Sequence, residues 1–233
     1  MANVTNALLQ HYMKLTEFLG LALGPDYEVV LHDLTDKNRS IIAIANSHIS
    51  GRKVGAPLTN TALSILRDKS YETSDYRLHD YGVSVNGKEL RSSTLFLKQN
   101  GRLIGMLCIN FDDSRFRAVS DQIMCLCHPD AFVEDVLQPQ PPEMPVPAVR
   151  AAPEKYRNST EAVTADAINR ELEQLGVTAE RLTSEERLKI IAALEKGGIF
   201  LLKGAVKDAA AELHCSQASV YRYLAQLKRT GEV

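Results

Sequence analysis

Gln217, Tyr221 and Arg222, with Ala218 between them, share the outward side of one helical stretch, and Ser216 and Ser219 flank them. Gln and Arg side chains can bond base edges in bidentate fashion, while Ser and Tyr hydroxyls bond phosphate oxygens. Lys203, Lys207, Lys228 and Arg229 lie close by in sequence. From Ile199 to Thr230 there are five Lys/Arg against two Asp/Glu, in a chain of 233 residues with net charge −2. Attraction for a polyanion would therefore arise from this small face and not from the bulk field.

Two helices and a sharp turn must position that set. The stretch Ala205–Leu213 reads as a first helix, His214-Cys215 as the turn, and Ser216–Leu227 as a second helix. Ser216 is a good N-cap, because its hydroxyl accepts from an orphan amide of the first turn. Ala209 and Ala210 allow close helix approach, and Leu213, Cys215, Val220 and Tyr223 (or Leu224) are spaced to fill the core between helices. The pattern is a helix-turn-helix, and the end carrying Gln217 would meet base edges in a major groove. His214 stands where the turn often has glycine, at a position expected to be left-handed. An ordinary helical hairpin has the same apolar spacing; the polar set on the exposed face argues for DNA.

A second group of polar residues lies in strands and loops of the N-terminal part. His32 shares a strand face with Val30, while Val29 and Leu31 take the other. Ser92 and Thr94 share a face of their strand, and Asn110 lies on its hairpin partner. Asn46, His48 and Arg52 sit in a loop, and Arg52 has the geometry to hold a carboxylate or phosphate. These seven are candidate ligand contacts; a hydrogen-bonded core histidine and a structural loop clamp are the competing readings. No nucleophile–base–orienter set and no Gly-rich phosphate loop is evident, so neither catalytic residues nor a cofactor are expected. Cys125-Leu-Cys127-His128 has the wrong spacing for a zinc knuckle, so incidental buried thiols are expected and no metal.

The chain is 45% hydrophobic and 24% charged, which suits a globular protein of two modest domains. Gln138–Pro147 holds five prolines in ten residues and cannot continue a helix or a central strand. It divides a domain at 1–137 from one at 159–233, with a linker at 138–158. In the first domain, 4–23 reads as a helix with Leu8, Tyr12, Leu15 and Leu19 on one face. Strands follow at 27–33 and 39–45, a helix at 58–67, an extended piece around 71–81, and strands at 90–98 and 103–111. Asn100-Gly101 marks a type I′ hairpin. A helix over 115–137 would bury Phe116, Val119, Ile123, Leu126 and Val133. The result is an α+β fold: a PAS-like five-stranded antiparallel sheet with helices, plus a small all-α domain. In the second domain, Thr183–Glu186 starts a helix that Gly197-Gly198 ends, and an amphipathic segment at 160–176 serves either packing or dimerisation.

The stretches Tyr27–Asp33, Asn46–Arg52 with Val54-Gly55 and Pro57-Leu58, Ser92–Thr94, Gly198–Val206 and Ser216–Leu224 resemble the YheO-like bacterial regulators. That resemblance spans nearly the whole chain. It implies a transcriptional regulator that binds a double-stranded DNA operator and responds to a small-molecule effector. A homodimer or higher symmetric oligomer is expected, because one small helix-turn-helix offers too few contacts for a selective site. No signal peptide or transmembrane run is evident, which predicts a cytoplasmic protein without a membrane partner. Two other classes stay open: a DNA recombinase-like enzyme and a protein-interaction module.

Overall fold

Alternation along three neighbouring strands organises this protein. The computed structural model describes residues 7–127 and 153–230. The N-terminal part runs α1 (Ala7–Leu23), β1 (Tyr27–Asp33), β2 (Ile41–Ala45), α2 (Asn60–Asp68), β3 (Tyr76–Val83), β4 (Glu89–Gln99), β5 (Arg102–Phe111) and α3 (Ser114–Cys127). A short strand β6 (Glu154–Lys155) follows, then α4 (Thr160–Leu175), α5 (Ser184–Lys196), α6 (Ala205–Glu212) and α7 (Gln217–Thr230). The expected residues 4–6, the end of the helix beyond 127 with Val133 and His128, and the proline-rich stretch Gln138–Pro147 lie outside the described residues.

The sheet order is β2-β1-β5-β4-β3-β6. The five expected strands pair antiparallel. The sixth adds to the expectation: Glu154 and Lys155, at the end of the stretch read as linker, pair parallel with Gly82 and Val83. Asn100 and Gly101 both have positive φ, 52° and 76°, as the β4–β5 hairpin requires.

Both faces of the sheet are covered. Val29, Leu31, Leu97 and Leu107 point toward α1 and pack with Leu9. Val30, Phe96, Met106 and Cys108 point the other way, into a cluster that also contains Leu63 of α2 and Ile168, Ile191, Leu194 and Val220 of the C-terminal helices. The two parts of the chain therefore share one apolar core. The α4 segment packs into it through Val163, Ala167 and Ile168, one of the two roles expected for it. Asn38 and Lys203 reinforce the joint by two hydrogen bonds, side-chain amide to carbonyl at 2.8 Å and backbone N–H to side-chain oxygen at 2.9 Å. Arg67 and Glu195 add an ion pair at 3.3 Å.

Three burial expectations need correction. α1 buries Leu9, Thr16 and Gly20, with Tyr12, Met13 and Leu19 half-buried, while Leu15 and Phe18 face outward. The helix is apolar around much of its circumference, so periodicity alone did not choose the face. α3 forms where expected but buries none of its side chains. Phe116, Ile123 and Leu126 are 58%, 54% and 84% exposed. Cys125 and Cys127 on the same helix are exposed thiols, not buried ones. Among the described residues no helix is long and apolar enough to cross a membrane, and no cluster of His, Cys, Asp and Glu is arranged to hold a metal ion.

Candidate nucleic-acid interface and a buried polar cluster

The helix-turn-helix is built from local signals. The Thr183 hydroxyl and the Glu186 carboxylate form a reciprocal capping box at the start of α5. Arg187 of α5 donates from Nε to the Leu213 carbonyl at the end of α6, at 3.3 Å, and so ties the turn to the helix before it. His214 takes φ 49°, the left-handed residue that the turn demands. The Ser216 hydroxyl accepts from the Ser219 amide at 3.1 Å and caps α7. Leu213, Val220, Tyr223 and Leu227 are buried, Cys215 and Leu224 half-buried. Gln217, Ala218, Tyr221 and Arg222 are exposed.

The structure gathers most of the DNA candidates. Lys203, Lys207, Gln217, Tyr221 and Lys228 line one hollow of about 470 Å³ beside the N-terminal half of α7. Arg222 lies around the helix from it, its guanidinium 5.6 Å from the Tyr223 ring centroid. Ser216 and Ser219 sit at the tip with their hydroxyls 3.0 Å apart. Three lysines and an arginine around an amide and a phenol form a surface that can pair with phosphates at its edge and base edges at its centre.

The ligand candidates separate into two groups. Asn46 and His48 are structural clamps on the rim. The Asn46 amide donates to the carbonyls of Gly20, Gly24 and Tyr27 at 2.7–3.0 Å, and the His48 Nε2 lies 3.1 Å from the Pro25 carbonyl. Both hold the α1–β1 corner, away from the buried polar face. The other five, His32, Arg52, Ser92, Thr94 and Asn110, are buried on the sheet face that looks away from α1.

Strand register explains why. Glu28, Asn110 and Ser92 lie side by side across β1, β5 and β4; Val30, Cys108 and Thr94 form the next row; His32, Met106 and Phe96 form the third. The polar row is closed by Ser50, from the same loop as His48 and Arg52, and by Thr59, Glu154 and Tyr156; these last three, and Glu28 within the row, are residues that sequence reasoning missed. Glu28 accepts from the Ser50 hydroxyl at 2.6 Å and from the Asn110 amide at 2.8 Å. Glu154 accepts from the Thr59 hydroxyl at 2.5 Å. The Tyr156 hydroxyl donates toward Asn110 Oδ1 and Glu154 Oε2, each at 3.2 Å, and lies within hydrogen-bonding reach of Ser92. Arg52, 2% exposed, donates from Nε to the Arg157 carbonyl at 3.2 Å and from a terminal nitrogen to the Pro57 carbonyl. The period-2 set Glu28, Val30, His32 was a readable sign for Glu28. Nothing local announced Glu154 or Tyr156, which arrive from a distant stretch of chain.

Burial sets the electrostatics here. It pushes the Glu28 and Glu154 carboxyls above 4.5, opposed by their hydrogen bonds and by the Arg52 charge. It raises the Tyr156 phenol well above 10 and the Cys108 thiol to about 12. Such a thiol is a packing group and not a nucleophile. Burial, with the Arg52 charge second, holds His32 well below 6.5, so its imidazole is neutral; its Nδ1 lies 2.9 Å from the Ser40 hydroxyl. Between the folded and unfolded pKa only the unfolded chain takes up that proton, so His32 costs stability as pH falls below 6.5. The raised carboxyls act in the opposite sense. Urea midpoints of wild type and His32→Asn from about pH 7.5 to 5.5 should diverge, with the variant losing less on acidification. Parallel curves would show that His32 titrates normally.

With this geometry in view, the comparisons with known proteins are direct. The profile of a YheO-like PAS domain matches residues 3–128, more than half of the chain, and that of a helix-turn-helix domain matches residues 163–225. The Escherichia coli (strain K12) protein YheO is 29% identical over 223 residues, covering 95% of this chain and 85% of its own. A Haemophilus influenzae protein is 27% identical over 228 residues, covering 97% and 94%. The transcriptional regulator DauR of Pseudomonas aeruginosa is 26% identical over 227 residues, covering 96% of each chain. The two matches place a PAS-type sheet domain before a helix-turn-helix, in the order seen in the structure, and the chain belongs to the family of proteins with a YheO-like PAS domain and a C-terminal helix-turn-helix domain.

Proposed function

We propose that this protein is a DNA-binding transcriptional regulator whose PAS-like domain senses a small metabolite and so modulates operator binding. The observation that carries the reading is the exposed basic and amide-bearing surface around the N-terminal half of α7, built on a capped helix-turn-helix. DauR, similar along nearly its whole length, is a transcriptional regulator by name. Gln217 and Arg222 read bases in this proposal, while Ser216, Ser219, Tyr221, Lys203, Lys207 and Lys228 hold phosphates. The protein acts in the cytoplasm, without catalysis. The division into 1–137, 138–158 and 159–233 is part of the proposal, with residues 154–157 returning to the sensor sheet.

The effector signal has a short route. The shared core, the Asn38–Lys203 bonds and the Arg67–Glu195 pair join the sensor directly to the helices that carry the DNA surface. The coupling needed is about 1–3 kcal/mol, and the effector must bind one arrangement better than the other. A homodimer completes the reading. Phe116, Val119, Ile123 and Leu126 of α3 are exposed at a spacing of three and four residues, a seam suited to a second copy of the helix.

The experiment is a fluorescence-anisotropy titration of the full chain against DNA selected from genomic fragments, at several salt concentrations, with sedimentation in parallel. Expected is sequence-selective binding that weakens steeply with salt, by a dimer, with the DNA left uncut. Ile123→Glu should yield a monomer whose operator affinity falls at least about tenfold. Failure to retain any DNA selectively would leave an interaction module, and strand cleavage would indicate a recombinase-like enzyme.

A further inference from the structure

In this structure a returning stretch of the chain, with Glu154 and Tyr156 buried, occupies part of the inner face of the sheet. Residues 153–157 run along the edge of β3 with a period of two. Glu154 and Tyr156 point into the sensor core, 6% and 2% exposed. Lys155 and Arg157 point away and pair with Asp166 of α4, Lys155 at 3.4 Å and the Arg157 terminal nitrogen at 2.9 Å. Those outward residues line a cavity of about 340 Å³ together with Asn60, Asp166 and Leu194.

The fit of the inward pair is close. A Cβ on Gly82 would lie 2.7 Å from Cε2 and the hydroxyl of Tyr156, so the strand has glycine where the phenol comes against it. The pair is held inside the sensor by polar contacts, Thr59 to Glu154 and Asn110 and Ser92 to the phenol, while the Tyr156 ring packs with Ile49 and Leu90; next to it Arg52 donates to the Arg157 carbonyl. Yet β6 itself is only two residues long and pairs along one edge. Few backbone bonds hold it, so side-chain contacts supply much of what keeps it docked.

We propose that Glu154 and Tyr156 are an intramolecular ligand of the sensor site, and that the effector is a small hydroxycarboxylic acid with an apolar body that displaces them. This rests on the sensing regulator reading above. The chemistry of the effector follows from what the departing pair leaves behind. Arg52 is buried and would keep Glu28 but lose its other nearby carboxylate and a carbonyl acceptor, so an anionic newcomer is favoured. Thr59 would lose its acceptor, which the same carboxylate supplies. Asn110 Oδ1 would lose a hydroxyl donor. In the resident pair that hydroxyl lies 3.2 Å from the carboxylate oxygen, so donor and anion belong on adjacent carbons of a compact molecule. The space of the phenol ring calls for an apolar body. Displacement pulls Lys155 and Arg157 off Asp166 and so acts on α4, the first helix of the DNA-binding part.

Mandelate carries the ring, the hydroxyl and the carboxylate, and is the probe; phenylacetate lacks the hydroxyl and 2-phenylethanol the carboxylate. Calorimetric titrations use the full chain in four forms: wild type, the opened variant Glu154→Ala/Tyr156→Ala, the shape-preserving variant Glu154→Gln/Tyr156→Phe, and a staple. The staple joins Val83→Cys to Lys155→Cys, Cα partners across β3 and β6, with exposed Cys125 and Cys127 changed to Ser. Weakening the resident pair should tighten mandelate binding at least about tenfold over wild type, since apparent affinity scales with the fraction of open sites. Phenylacetate and 2-phenylethanol should bind at least about tenfold more weakly than mandelate. The oxidised staple should not bind, and its reduction should restore binding. Equal binding by oxidised and reduced staple overturns the proposal, as does a folded Glu154→Gln/Tyr156→Phe protein that binds mandelate no better than wild type. Operator titrations on the same samples keep the two readings apart. Intact DNA binding with no staple-sensitive mandelate binding removes this site and leaves the regulator; loss of selective DNA binding in wild type removes the regulator itself.

Discussion

Arg52→Met should destabilise the protein by about 3–5 kcal/mol, the largest effect expected from any single charge in the chain. Methionine nearly matches the length of the side chain and keeps its apolar contacts, so the loss isolates the guanidinium. That group is 2% exposed and its charge acts on both Glu28 and Glu154. Without it, two buried carboxylates lose the cation whose charge favours their ionised form, and the carbonyls of Pro57 and Arg157 lose a donor. The carboxyls would then hold their protons to higher pH than in wild type. Folded pKa values raised further above the unfolded ones make stability rise as pH falls toward 4.5. The deficit of Arg52→Met should therefore shrink on mild acidification, and Glu154→Gln should restore part of it at neutral pH. Urea unfolding of wild type, both single variants and the double variant measures the coupling. A loss below about 1 kcal/mol, unchanged with pH, would show that the cluster does not depend on Arg52.

Arg222→Ala should weaken binding to a selected operator by about 1–3 kcal/mol, roughly five- to 150-fold, and relax sequence preference at the base it contacts. Gln217→Ala should act at a different base position. Both residues are exposed on α7, away from the buried Val220, Tyr223 and Leu227, so truncation leaves the fold intact. Lys207→Ala is the contrast. Its charge lines the same hollow but is assigned to phosphate, so its loss should weaken all sequences alike and lower the salt slope by about one unit. Anisotropy titrations on operator and scrambled duplex, at two salt concentrations, distinguish these outcomes. An Arg222→Ala protein with wild-type affinity and selectivity would mean that α7 does not enter a groove in the proposed orientation.

Much of this molecule was legible in its residues because the signals are local. The capping box at Thr183–Glu186, the Ser216 cap, the left-handed His214 and the Asn100-Gly101 hairpin each depend on neighbours within a few positions. So does the alternation that sends Val29 and Leu31 to one face of β1 and Val30 to the other. From these the sequence determined the α+β class, the five antiparallel strands, the helix-turn-helix and the exposed polar set on α7. Tertiary structure decided what depends on pairing between distant segments. Which of the apolar residues of α1 face the sheet goes with the close approach of Gly20 to Ala45, and α3 meets β5 where Phe116 lies against Phe111 while Val119, Ile123 and Leu126 stay exposed. The polar row of Glu28, Asn110 and Ser92 exists only through the register of three strands. Glu154 and Tyr156 enter it through a parallel pairing of two residues, at the end of a stretch whose prolines read as linker. Side-chain periodicity reports which face a residue takes within its own element, but the partner across that face is fixed only when the whole sheet closes.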